Sequence, residues 1–183
     1  LNRPVLFSAY VGIGQVARVL ESENIGCDFV RAQAKEAGNL KALKDLDQAG
    51  PPPYNGGAAG MQLQRKWLIH YGGLMAKPWT MARFFGHFLS CPEYSFTQLL
   101  TRVLPGLKEA GEVLGPQFMV LDLRAEIEKI KVPTFFVYCE KDYTISPKPL
   151  EGSKFPIKIL PGVSHFCHLE SPAAFAELLK PLV

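Results

Sequence analysis

Apolar and polar residues follow two rhythms along this chain. Up to about residue 120 the apolar positions recur every three or four residues, the spacing of one buried helix face. Ile13, Val16, Val19 and Leu20 repeat in this way before Asn24-Ile25-Gly26, which predicts a helix over 14–24. Leu40, Leu43 and Leu46 mark a second helix, with Asn39 as its cap and Gly50 and three prolines as its stop. Further helices are predicted over 61–71, 79–89 and 96–104, the last carrying Phe96, Leu99, Leu100, Val103 and Leu104 on one face. Beyond residue 120 the period disappears. "KVPTFFVYC" is continuously apolar, β-branched and aromatic, and "PIKIL" is a shorter run, so strands buried on both faces are predicted over 134–139 and 157–160. A final helix follows in "SPAAFAELLKPLV", with Ser171 as cap, Pro172 in the first turn and Phe175, Leu178, Leu179 and Leu182 as its stripe.

Composition narrows the class. The chain has 183 residues, 48% hydrophobic and 20% charged, which suits one globular domain, with or without a small appendage, and excludes a disordered chain. No apolar run has the length of a membrane span. The net charge of +3 comes from 20 basic and 17 acidic residues that are scattered, which gives nucleic-acid binding little support. Cys27, Cys91, Cys139 and Cys167 stand singly within apolar segments, so free thiols in a reducing, cytoplasmic setting are expected. The opening "LNRPVLFSAYVG" has neither an initiator Met nor the sections of a signal peptide, and a start further upstream or a truncation is expected.

The stretch "AYVGIGQVA" places Gly12, Gly14 and Ala17 in the G-x-G-x-x-G/A spacing of a dinucleotide-binding turn. Its surroundings do not fit that use. Helical pattern follows, and the nearest acid, Asp28, would begin a second strand rather than end it. The two glycines are expected to permit close packing at a helix start, and no organic cofactor is implied.

The candidate chemistry lies in the last third. Each predicted strand leads into a loop with an ionisable residue, Asp142 after the first and His165 after the second. Ends of adjacent parallel strands converge on one sheet edge, and an Asp that orients a His is half of a nucleophilic catalyst. Asp142 in "EKDYTISP" also reads as a turn residue.

These segments resemble the α/β-hydrolase family. "VP-(apolar)-E-K-D" is similar to its acid loop, and "PG-x-x-H-F-x-x-x-E-x-P-x-x-F" to its histidine loop and last helix. "AYVGIGQV", "AGNLKALKDL-x-x-AGPPPY", "QRKWLIHYGG" and "CPEYS" resemble, in order, the helical lid of the proline-iminopeptidase-like branch. The resemblance implies an α/β fold, with a helical lid over 1–120 and the C-terminal strands and helix of the hydrolase sheet over 121–183. It implies Asp142 as triad acid and His165 as general base of a serine hydrolase cleaving a small ester, amide or N-terminal peptide bond, acting on a small-molecule or short-peptide substrate without metal or cofactor. In that branch the "YVGIGQV" stretch begins a helix at the lid boundary.

Two departures are visible. No G-x-S-x-G elbow occurs in the chain, so the resemblance implies a nucleophile upstream of Leu1 and a missing N-terminal half, or a second copy, as partner. The interval 165 − 142 = 23 is short for the family, and "ISPKPLEGSKFP" does not read as the helix expected there. The alternative is an inactive truncated hydrolase serving as a helical protein-interaction module.

Competing residues have plainer readings. His168 lies in the turn after His165, and Cys167 with both histidines matches no standard metal-ligand spacing. Ser8, Ser90 and Ser164 lack the elbow and read as turn or packing serines. "HYGG", residues 70–73, follows a helical pattern and reads as a helix C-cap. Trp67, Tyr71, Trp79, Phe84, Phe85 and Phe88 are either core or the lining of an apolar pocket.

Overall fold

The computed structural model describes residues 3–77, 79–93 and 95–180, with the side chains at 81, 88, 99, 104, 107 and 108 outside that description. Phe88, Leu99, Leu104 and Leu182, each assigned a face or pocket from the sequence, therefore lie outside the described side chains.

The fold is α/β. Three parallel strands, β1 (Tyr10–Ile13), β2 (Thr134–Cys139) and β3 (Ile157–Leu160), form one sheet in the order β1-β2-β3. The middle strand, TFFVYC, is buried at every position, as a strand covered on both faces requires. Phe136 packs edge-on against Tyr10 and Phe155, and with Ala17, Ile127, Tyr138 and Leu150 it forms the core under the sheet.

β1 corrects two expectations. The predicted helix start is a strand, pairing with β2 from Tyr10↔Thr134 to Ile13↔Val137. Gly12 is required there by its neighbour, since a Cβ on it would sit 2.4 Å from Phe136 Cδ1. Gly14, at φ +54°, turns the chain out of the sheet in a conformation costly for other residues. Close packing holds as the role of Gly12, but in a strand.

The helix itself starts later and runs through the expected stop, as α1 (Val19–Glu36). Gly26 sits in its interior because the backbone carbonyl of Tyr143 comes within 2.4 Å of where a Cβ would be. Glycine here marks a close approach, not a helix end. Next come α2 (Leu40–Ala49) and α3 (Ala58–His70). Asn39 caps α2 as expected, its Oδ1 accepting from Ala42 N at 3.0 Å, and Gly50 ends it at φ +70°. The buried stripe of α2 is Ala42, Leu46 and Ala49, while Leu40 is exposed. These helices share a core of Val30, Ala34, Ala42, Leu46, Trp67 and Leu68.

After α3 the chain forms α4 (Thr80–Leu89), the short α5 (Phe96–Gln98), a π-helical segment Leu99–Val103, and α6 (Leu104–Met119). The sequence pattern ended the helix at residue 104, whereas α6 continues through Pro105, Gly106, Gly111, Gly115 and Pro116. The wide π turn lies just before Pro105, where a proline ring would crowd the carbonyl one turn earlier. The short α7 (Arg124–Glu128) leads into β2.

Only a 3-10 turn, Lys148–Leu150, interrupts the loop from β2 to β3, in keeping with its proline and glycine content. The chain closes with α8 (Cys167–Glu170) and α9 (Pro172–Leu179). Ser171 occupies the cap position of α9 without a side-chain capping bond, and Pro172 takes the first turn. Phe175 and Leu178 pack on Cys139, Leu160, Val163 and Cys167. Among the described residues no helix is long and apolar enough to cross a membrane.

Candidate active site

The C-terminal ends of β2 and β3 leave the sheet on the same side, with Cys139 and Leu160 as register partners. The two chains stay laced beyond the strands. Glu140 N donates to Leu160 O at 3.0 Å, Lys141 N to Val163 O at 2.9 Å, and Gly162 N to Glu140 Oε2 at 2.7 Å. Asp142 and His165 follow within a few residues, and His165 Nδ1 lies 2.9 Å from Asp142 Oδ2. The short interval between them is no obstacle, because adjacent strand ends set their separation.

The buried Asp142 carboxylate divides its work between its oxygens. Oδ1 accepts from Thr144 N at 2.8 Å and from Ile145 N at 3.1 Å, while Oδ2 faces the imidazole. Asp142 thus holds its own turn and meets the imidazole at the same time. Tyr143 between them stacks on Phe29 of α1 at 3.7 Å, and its N–H donates to Gly73 O at 2.8 Å. The acid loop is thus fastened to the helical region.

The hydrogen bond to Asp142 lifts the His165 pKa above the ordinary imidazole value, against burial and the Arg65 charge, which lower it. With Nδ1 engaged, Nε2 is the nitrogen left for proton transfer. His165 lines a cavity of about 110 Å³ with Val16, Val19, Glu23, Arg65 and Phe118. A larger cavity, about 490 Å³, lies between residues 53–61 and 111–120 and is lined without His165. The titratable pair thus meets the smaller of these two cavities and not the larger.

Glu23, which lines the same cavity, was not singled out in the sequence. Its buried carboxylate accepts from Tyr54 Oη at 2.8 Å and from the Arg65 guanidinium. Burial and the adjacent Glu23 charge push the Tyr54 hydroxyl well up. A signal existed, because Glu23 stands four residues after Val19 on the stripe that continues through Cys27, Val30 and Ala34.

The stray candidates resolve into structural roles. Ser164 is fully buried, with Oγ 2.7 Å from Leu74 O and accepting from Ala76 N at 2.9 Å. Ser90 Oγ donates to Gly86 O at 2.9 Å. The "HYGG" segment ends α3, with Gly73 N donating to Leu68 O at 2.8 Å and Gly72 at φ +78°. Trp67 is core and donates Nε1–H to Asp45 at 2.9 Å. Trp79 is partly exposed beneath Lys77 and Arg83, Phe85 is exposed, and Phe84 meets Phe166 at 5.1 Å. None of these aromatics, nor Tyr71, lines the His165 cavity. Contact with the Cys167 thiol, together with burial, pushes Cys139 up, and the same contact draws Cys167 down. No cluster of three or more His, Cys, Asp or Glu residues suited to a metal ion occurs among the described residues.

No protein-family model and no curated protein matches the chain. Among solved structures it is similar to MGS-M2, an alpha/beta hydrolase enzyme from a Medee basin deep-sea metagenome library, at 16% identity and a TM-score of 0.40. That match covers 97% of this chain and 56% of the other, so the chain spans little more than half of that protein's length.

Proposed function

We propose that the chain carries the acid–base part of a serine hydrolase of the α/β-hydrolase type, of the proline-iminopeptidase-like branch, acting on a small ester, amide or N-terminal peptide bond. The observation that carries this reading is the 2.9 Å contact of Asp142 with His165 at the ends of neighbouring parallel strands, beside a cavity that His165 lines. Asp142 holds the proton on Nδ1 and keeps Nε2 basic. His165 then takes the proton of a serine hydroxyl as it attacks the substrate carbonyl, and returns it to the leaving group. The serine would come from a G-x-S-x-G segment outside this sequence, with one oxyanion donor from the residue after it and the other from a separate loop.

The test compares the 183-residue chain with the product of the full reading frame on a chromogenic ester and with a fluorophosphonate probe. We expect no turnover or labelling from the shorter chain. The longer one is expected to show both, and His165→Ala to lower kcat by about 10³-fold or more. Turnover by the shorter chain that His165→Ala abolishes would sink the reading and place a nucleophile within these residues.

A second reading, a helical interaction module without catalysis, is favoured by the exposed apolar side chains Phe85, Leu89, Phe96, Leu100, Val113 and Leu114 along α4–α6. A full reading frame without a G-x-S-x-G segment would select it.

A further inference from the structure

Beside the acid–base pair, but not lining its cavity, lies a second buried carboxylate. Glu170, the last residue of α8, is only 4% exposed. Its Oε1 accepts from Ala76 N at 2.9 Å and Thr80 Oγ1 at 3.0 Å, and its Oε2 from Ser164 N at 2.9 Å. Ser164 Oγ completes the cluster, its single proton shared between Leu74 O at 2.7 Å and Glu170 Oε1 at 3.1 Å. Main-chain carbonyls extend the same contact, Leu169 O accepting from Arg83 at 2.8 Å and Glu170 O from Lys77 at 3.3 Å.

The location of these bonds gives them meaning. Ser164 immediately precedes His165, and Glu170 N donates back to Phe166 O at 2.9 Å. The short segment bearing the imidazole therefore starts and ends on one carboxylate. That carboxylate is also the joint to residues 74–80, which lead into α4. Burying a charged group so fully is unfavourable unless its oxygens are satisfied, and each bond to Oε1 and Oε2 has the carboxylate as acceptor.

We propose that Glu170 is a positioning residue for His165, holding the histidine loop at the distance where the imidazole meets Asp142 and coupling that distance to the start of α4. The proposal rests on the reading of Asp142 and His165 as the acid–base pair. Glu170 acts through Ser164 and touches neither the cavity nor the imidazole.

The experiment follows the His165 ring proton signals by NMR through a pH titration of the 183-residue chain. The charged and titratable groups facing His165 are Asp142, Arg65, Glu23 and Cys167, and all stay unchanged in the variants. Glu170→Gln keeps the side chain's size but turns an NH₂ toward donors, and Glu170→Asp keeps the charge but withdraws the oxygens by one methylene. Both are expected to shift the His165 midpoint down toward the ordinary histidine value, because the Asp142 bond is made less of the time. Thr80→Val removes one donor away from Ser164 and is expected to lower the melting temperature without moving the midpoint.

An unchanged midpoint in folded Glu170→Asp overturns the proposal, including the case where Glu170→Gln shifts it, since the effect would then be one of charge and not of position. A midpoint that falls as far in Thr80→Val also overturns it, by reducing the effect to general loosening. If neither Glu170 variant folds, Ser164→Ala is read instead, and an unchanged midpoint there overturns the proposal. A midpoint in the parent chain at or below the ordinary histidine value removes the Asp142–His165 pairing, and the proposal with it.

Discussion

The acid and histidine loops and the run from α4 to α6 are built in opposite ways. Around Asp142 and His165 both oxygens of the buried carboxylates Asp142 and Glu170 have hydrogen-bond partners, and a glycine occurs where a distant stretch of the chain presses in, as Tyr143 O presses on Gly26. Along α6, Gly106, Gly111 and Gly115 face open space, and Val113 and Leu114 are exposed. The first region is fixed by contacts that the chain itself supplies. The second keeps an apolar face uncovered by the described residues. A glycine or a phenylalanine therefore means different things in the two regions.

The largest expected difference is in large-to-small substitution. Phe136→Ala, at a fully buried position between Tyr10 and Phe155, should destabilise by about 3–5 kcal/mol in urea unfolding, whereas Phe85→Ala on α4 should change stability by about 0.5 kcal/mol or less. A comparable loss at Phe85 would show that the α4–α6 face is covered in solution and would break the contrast.

The same glycine replacement should change sign between the regions. Gly26→Ala gains helix propensity but drives a Cβ into the immobile Tyr143 carbonyl, so a net loss of about 1–3 kcal/mol is expected. Gly111→Ala meets nothing and should stabilise by about 0.5–1 kcal/mol. Equal signs in thermal melts would mean that α6 packs against something further.

A smaller effect depends on pH. The folded-state pKa of His165 is raised by its bond to Asp142, so the stability it contributes is fully present below the unfolded histidine pKa and lost as pH rises through the raised value. The stability difference between the parent and Asp142→Asn should thus be wider in mildly acidic buffer than in alkaline buffer. A difference that widens toward alkaline pH would contradict the pairing.

Much of the sheet end was legible in the sequence, because its signals are local. A continuous apolar run predicts β2, the cap of α2 is one Asn, and Asp142 and His165 each follow a strand directly. What could not be read depends on distant partners. Gly12 looks like a cofactor turn until Phe136 is beside it, and Gly26 looks like a stop until Tyr143 is. Ser164 had only its missing elbow to say it was structural, and Glu170 stood as one letter of a motif until its donors were in place.

The pairing of β1 with β2 also bears on the order in which the protein forms. Tyr10 meets Thr134 across 134 − 10 = 124 positions, whereas α1, α2 and α3 meet across short connections. Closing so long a loop is entropically unfavourable until other contacts have shortened it, and non-local parallel pairing is slow. During synthesis Tyr10–Ile13 emerges long before Thr134–Cys139, so the helical core of Val30, Leu46 and Leu68 can assemble before β1 meets β2. Pulse-labelled amide exchange should accordingly protect the amides of α1–α3 before those of β1. The pairing that joins β1 to β2 is therefore expected to follow the packing of the helices.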